Sequence, residues 1–281
     1  VDVVGSFEGR VALITGAARG QGRAHALALA RAGADIVATD RCADLPAVSY
    51  PLATDADLAE TVRLVEGTGH RCLSVVADVA DRTAMDDVVR QSQAHFGRID
   101  IAIANAGVSV HGSVQDLSPR AWSDCIGTNL TGAFNTIAAV APVMIRQEYG
   151  RIITISSMLG RLPRANQTAY GASKWGVIGM SKSAAQDLAP HGITVNVIAP
   201  GNVDTPMIHN ESTYGIVRPD LTSPSRSDVA GALASLHLIR EPWLSPDEIS
   251  RAVLFLASEA SAYLTGIVLP VDAGAAARLP T

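Results

Sequence analysis

Seven short apolar runs alternate with helical stretches along this chain, and that alternation constrains its fold more than any other feature. The runs fall at residues 10–15, 35–39, 72–77, 99–104, 151–156, 193–199 and 267–271. Helical spacing occupies 21–32, 55–66, 82–96, 120–147, 169–189 and 247–258. A strand that is apolar along its whole length, rather than at alternate positions, is covered on both faces. Strands of this kind separated by helices predict a doubly wound α/β domain with a parallel sheet. No repeat, low-complexity tract or linker divides residues 1–281, so one domain is expected.

Composition narrows the function classes. Apolar residues make up 48% of the chain and charged residues 17%, which excludes a disordered protein. The net charge of -5, with no basic block, argues against a nucleic-acid partner. No run reaches the ~18 apolar residues of a spanning helix. The longest, 137–145, contains Pro142, so no membrane association is expected. The N-terminal residues 1–5 have neither a basic region nor a long apolar stretch, so no signal peptide is expected. The three cysteines are far apart, which suits a reducing cytoplasm. Neither they nor the seven histidines show metal-ligand spacing.

Two segments break the pattern. Residues 41–54 form a proline-containing excursion between the second strand and its helix, longer than the ~2–6 residues usual there. Residues 202–246 hold five prolines and little periodicity. Both are expected to serve function.

Chemistry enters at Thr15, where a strand runs into Gly16, Gly20 and Gly22 and then a helix. Glycines there let the backbone turn tightly and approach a pyrophosphate, which rests on the positive end of the helix. The spacing differs from the common G-x-G-x-x-G, and a glycine turn alone is weak evidence. Asp40 strengthens it. This acid lies eighteen residues past Gly22, at the end of the second strand, where a carboxylate binds a ribose 2′-hydroxyl.

More specific is the set Ser157, Tyr170 and Lys174. Tyr170 and Lys174 are four apart on a predicted helix and share a face. A tyrosine must lose roughly 4 kcal/mol of pKa cost to act as a base near pH 7. An ammonium at ~4 Å supplies energy of that order at an effective dielectric of 20. Ser157 can hydrogen-bond the reacting oxygen. A lone Tyr-x-x-x-Lys is more often a solvated helix face, so the pair gains weight only from its company.

With these motifs in order, together with Asp78, Val79, Asn105, Ala106, Gly107, Asn129, Pro200 and Gly201, the sequence resembles the short-chain dehydrogenases/reductases over essentially its whole length. The resemblance implies a Rossmann-type sheet of seven strands in the order 3-2-1-4-5-6-7. It implies a catalytic set of Asn129, Ser157, Tyr170 and Lys174. Ser157 rather than Ser156 takes the serine role because the family spaces it thirteen residues before the tyrosine. Tyr170 exchanges the substrate proton. Lys174 lowers the tyrosine pKa and binds the nicotinamide ribose, and Asn129 holds a water on the route from Lys174 to solvent. The implied cofactor contacts are Gly16, Arg19, Gly20, Gln21, Gly22, Asp40, Arg41, Asp78, Val79, Asn105, Ala106, Gly107, Pro200, Gly201, Val203 and Thr205, with Tyr170 and Lys174. Residues 202–246 become a substrate lid, and the family assembly is a homotetramer. The C-terminal Val271, Asp272, Ala273 and Gly274 depart from the usual two glycines after the acid, at a position used for subunit packing.

Residues 40–54, and Arg23, Ala24 and His25 after the glycine turn, carry a narrower resemblance to carveol-dehydrogenase-like, mycofactocin-associated members. It implies an NAD enzyme acting on a secondary alcohol, such as a cyclic terpenoid, and its ketone. The cofactor would be tightly held and recycled by an external redox acceptor, with residues 41–54 beside its adenosine half.

Several residues keep a plainer reading beside the functional one. Arg19 stands where NADP-using relatives place a phosphate-binding arginine, but the Asp40 carboxylate would repel a 2′-phosphate. Arg41 can turn to a phosphate or cap a solvated loop. Met158, Leu159, Met207 and Val108 either line an apolar pocket or belong to the core. Two other functions fit parts of the pattern: a 3-oxoacyl-thioester reductase, which should prefer NADP and show a basic docking surface, and a catalytically silent NAD-sensing protein, which should lack Tyr170 or Lys174.

Overall fold

Each expected strand forms, and the seven pair in parallel in the order β3-β2-β1-β4-β5-β6-β7. The computed structural model describes residues 6–162 and 164–277; residues 1–5, where no leader was expected, lie outside them. The strands are β1 (Val11–Thr15), β2 (Asp35–Asp40), β3 (Cys72–Val76), β4 (Ile101–Ala104), β5 (Gly150–Ile155), β6 (Ile193–Pro200) and β7 (Val268–Val271). The helices are α1 (Gly20–Arg31), α2 (Asp55–Glu66), α3 (Arg82–Phe96), α4 (Pro119–Ile126), α5 (Gly132–Gln147), α6 (Thr168–Leu188), α7 (Glu211–Val217), α8 (Arg226–Leu236) and α9 (Pro246–Ala257).

Pleating explains why the strands read as unbroken apolar runs. In β1, Ala12 and Ile14 face one core with Leu29 of α1 and Ile249 and Val253 of α9. Val11 and Leu13 face the other with Val88 of α3 and Val140 and Val143 of α5. Both faces are buried, so alternation of side-chain direction leaves no alternation of polarity. The crossover reverses between β1 and β4, which opens a crevice at the carboxyl ends of these two strands.

The structure corrects three local expectations. The stretch 120–147 is one helical path, but it is α4 and α5 joined by a π-helical turn, Gly127–Thr131. That stretch is also long and apolar enough, by length and composition, to cross a membrane, which the sequence reading did not expect. Here 61% of its apolar window is buried, and α5 packs on α3, β4 and β5. The irregular segment 202–246 contains α7 and α8. Asn210 caps α7, and Ser225 with Asp228 forms a capping box on α8. These helices are too short for their periodicity to stand out, whereas their caps are readable.

Candidate active site

The glycine turn is held by side chains from two strands. The Thr15 hydroxyl accepts hydrogen bonds from the N–H groups of Asn105 and Ala106, each at 3.1 Å. The Asn105 amide donates back to the carbonyls of Thr15 at 2.9 Å and Gly16 at 3.2 Å. The ends of β1 and β4 are thereby fixed to each other. Gly16 has a φ of +66°, and a Cβ on Gly22 would stand 2.0 Å from the Gly16 carbonyl oxygen. Only glycine fits so close a turn. No side chain caps the N-terminus of α1, so its N–H groups face the cleft beyond.

That cleft is lined by Gly16, Arg19, Gly20, Gln21, Gly22, Asp40, Arg41, Asp78, Val79, Asn105, Ala106, Gly107 and Thr205, thirteen of the expected cofactor contacts. Gln21 Oε1 and Arg41 Nε are buried and lack a hydrogen-bond partner. Uncapped N–H groups and the Arg41 Nε as donors, with the Gln21 oxygen and the Asp40 carboxylate as acceptors, fit the phosphates and hydroxyls of a dinucleotide. The Arg41 guanidinium pairs with Asp78 at 3.3 Å. Arg19 donates to the Pro51 carbonyl.

Pro200, Gly201 and Val203 line an adjoining cleft, together with Ser157 and Tyr170. Gln21, Thr205 and Met207 border both clefts. Met158, Leu159 and Met207 therefore line a pocket, and Val108 lines the first cleft. Ile208, Thr213, Ile216, Val217 and Leu233, from the segment 202–246, form another wall of the second cleft.

Ser157 and Tyr170 meet in the second cleft. Tyr170 lies in the first turn of α6 and is hydrogen-bonded to the Ser157 side chain. Ser157 is fixed by accepting from the Leu159 N–H at 3.1 Å. Its neighbour Ser156 points elsewhere, donating to the Lys174 carbonyl at 2.8 Å. Lys174 is 4% exposed and donates to the Ile155 carbonyl at 2.9 Å. A Cβ on Gly107 would lie 3.4 Å from both Lys174 Nζ and Asn129 Oδ1, so these two groups converge on the floor of the first cleft. Asn129 occupies the π-helical turn, a feature frequent at functional sites. Its amide accepts from the Val108 N–H at 2.8 Å and donates to the Val108 carbonyl at 2.9 Å.

Burial dominates the electrostatics. It pushes the Tyr170 phenol above its ordinary range, opposed by the Ser157 hydrogen bond. It lowers Lys174 to about 8. Lys174 Nζ stands 5.6 Å from the Tyr170 ring centroid. Desolvation of the phenol outweighs the hydrogen bond in the Tyr170 shift.

The segment 41–54 reaches farther than expected. Tyr50, Leu52 and Ala53 line the first cleft. Tyr50 is 6% exposed, and its hydroxyl accepts from the Ser109 N–H at 3.1 Å. Ala47 and Val48 pack on a cluster with Val110, Ala169 and Tyr170. The excursion thus extends past the expected adenosine end to the cluster on which Tyr170 packs. Sequence reasoning gave Tyr50 apolar surface but no site role, and it passed over His111, Arg164 and Gln167, which line the second cleft.

A doubly wound sheet, a dinucleotide cleft and a Ser–Tyr–Lys cluster at its end define a nucleotide-dependent oxidoreductase. The chain belongs to the short-chain dehydrogenase family, whose model matches residues 10–214. It is 42% identical to (-)-trans-carveol dehydrogenase of Rhodococcus erythropolis, over 95% of this chain and 97% of that protein. It is 36% identical to the 3-oxoacyl-acyl-carrier-protein reductase of Escherichia coli, over 96% of this chain and 98% of that protein. Among solved structures it resembles carveol dehydrogenase from Mycobacterium avium in complex with NAD. The TM-score is 0.95 and the identity 42%, covering 98% of this chain and 100% of that one.

Proposed function

We propose that this protein interconverts a secondary alcohol and its ketone with NAD as cofactor, and that the alcohol sits on a compact, largely apolar skeleton such as a cyclic terpenoid of the carveol type. The observation that carries the reading is that Ser157 and Tyr170 interact and together line the second cleft, with buried Lys174 beside them. Bound NAD supplies the hydride acceptor and a positive charge beside the phenol. Ser157 holds the carbinol oxygen, and Tyr170 takes its proton in oxidation and returns it in reduction. Lys174 stabilises the phenolate and binds the nicotinamide ribose. Asn129 fixes the floor through Val108. The Asp40 carboxylate favours the 2′-hydroxyl of NAD over the 2′-phosphate of NADP.

The segment 202–246 acts as a lid that excludes water from the transfer. The segment 41–54 closes over the dinucleotide; the burial of Tyr50 and the Arg19–Pro51 contact support this. A dinucleotide held under this segment would need an external redox acceptor to recycle it. Trp122, Phe134 and Trp175 expose large apolar surface on α4, α5 and α6, which supports assembly into a homotetramer. Three free cysteines among the described residues fit a cytoplasmic protein. The test is to denature the purified protein, identify any released nucleotide and screen cyclic secondary alcohols for oxidation. Release of NAD and oxidation of such alcohols are expected; a preference for 3-oxoacyl thioesters with NADP would overturn the reading.

A further inference from the structure

One wall of the substrate cleft carries a positive charge, Arg164, that forms no ion pair among the described residues. The loop joining Ser157 to Tyr170 is laid against the segment after β4. The Gly112 N–H donates to the Asn166 carbonyl at 3.1 Å, and Gly112 pairs with Gln167 in a parallel bridge. This pairing brings His111 and Arg164 to the cleft that Ser157 and Tyr170 line. His111 is occupied on both sides: Nε2 with Ser109 Oγ at 3.1 Å, and Nδ1 with Ser212 Oγ at 3.0 Å. Burial and the nearby Arg164 guanidinium hold it neutral at pH 7, with a pKa of about 4.

Arg164 differs. A guanidinium stays charged in proteins, although burial here works against that charge. Among the described residues it has no ion pair and no hydrogen bond. Beside it in the same cleft, Gln167 Oε1 is buried without a partner. A primary amide can present N–H donors as readily as its oxygen. Arg164 is half-buried, and a cation that has lost part of its hydration gains more from a paired anion than a fully solvated one does. Met158, Leu159, Ile208 and Val217 give the remaining walls apolar surface, interspersed with the polar side chains of Gln21, Asn202 and Thr213. One guanidinium matches one planar carboxylate in charge and in its two-pronged geometry.

We infer that the substrate is a hydroxy acid: a secondary alcohol whose apolar skeleton carries a carboxylate that pairs with Arg164, with Gln167 as a second donor. This rests on the secondary-alcohol reading and refines its substrate class. Arg164 is then a specificity-determining residue and takes no part in proton transfer.

The experiment compares 4-hydroxycyclohexanecarboxylate with its methyl ester, which has the same ring and carbinol but no charge. Wild-type protein with NAD should favour the acid in kcat/KM by about tenfold to hundredfold, the range of a charge-assisted hydrogen bond. In Arg164→Gln the ratio should fall to near one, through a higher KM for the acid. Arg164→Lys should retain part of the preference. A second arm needs no turnover: binding of cyclohexanecarboxylate, which has no carbinol, is measured by calorimetry on the NAD-loaded protein. Arg164→Gln should weaken it about tenfold or more. A wild-type ratio near one, a ratio unmoved by Arg164→Gln, or carboxylate binding indifferent to Arg164 overturns the inference. Failure to oxidise either alcohol counts against the alcohol-dehydrogenase reading, while the binding arm still decides the carboxylate claim.

Discussion

The carboxylate of Asp40 accepts a hydrogen bond from the Ala18 N–H at 3.1 Å, tying the acid at the end of β2 to the glycine turn at the end of β1. The Cys42 N–H donates to its other oxygen at 3.3 Å. The acid proposed to bind the ribose is therefore held in place by the protein's own backbone, and such pre-organisation reduces the ordering cost of binding.

Asp40→Ala should weaken NAD binding and relax the discrimination against NADP, because it removes both the ribose acceptor and the charge that repels a 2′-phosphate. Affinities for the two cofactors, measured on wild type and variant, check this. Equal or tighter binding of NADP by the wild type would contradict it.

Replacing residues 46–52 with a short glycine bridge should speed cofactor exchange. This removes Tyr50 and its bond to Ser109, together with the packing of Ala47 and Val48 on the cluster that holds Tyr170. Exchange of labelled NAD into the protein is the readout. Rapid, complete exchange in the wild type, with sustained turnover on free NAD alone, would eliminate closure and the need for an external acceptor.

Lys174→Ala should impair both turnover and cofactor affinity, since the ammonium serves the phenol and the ribose. Its pKa of about 8 means the wild-type charge is lost as pH rises through that value. The affinity for NAD should decline above about pH 8 in the wild type and lose that dependence in the variant. A separate titration of binding against pH for each protein tests the pairing.

His25 predicts a loss of stability in acid. It is fully buried, its Nδ1 pairs with Ser250 Oγ at 2.8 Å, and burial lowers its pKa to about 3. Between the unfolded value of about 6.5 and the folded one, only the unfolded chain binds the proton. Stability from this group is complete above pH 6.5 and declines as pH falls, by roughly 2–3 kcal/mol at pH 4.5. Urea unfolding at pH 7 and pH 4.5 should show a smaller drop in His25→Gln than in the wild type. An identical drop would exclude the histidine as its source.

The sheet was legible because every strand of its centre is buried on both sides, so apolar runs mark strands directly. The glycine turn, Asp40 and the Tyr170–Lys174 pair were legible because their chemistry depends on spacing along the chain. The π-helical turn around Asn129 was not, since a π turn and an α-helix share one apolar pattern. Tyr50 was hidden for another reason: its partner Ser109 is 59 residues away, and no local signal records a contact made across a cleft. Arg164 and His111 meet only through the Gly112–Gln167 bridge, which is equally invisible in sequence.

The central claim is that Tyr170 transfers the substrate proton. Its most direct test is a single turnover of Tyr170→Phe against wild type, with a cyclic secondary alcohol and the formation of reduced nicotinamide as the signal. The account predicts a chemical step slower by about 10²–10⁴-fold, the range of general acid–base catalysis, with NAD affinity little changed. A near-normal rate for that step in Tyr170→Phe would contradict it.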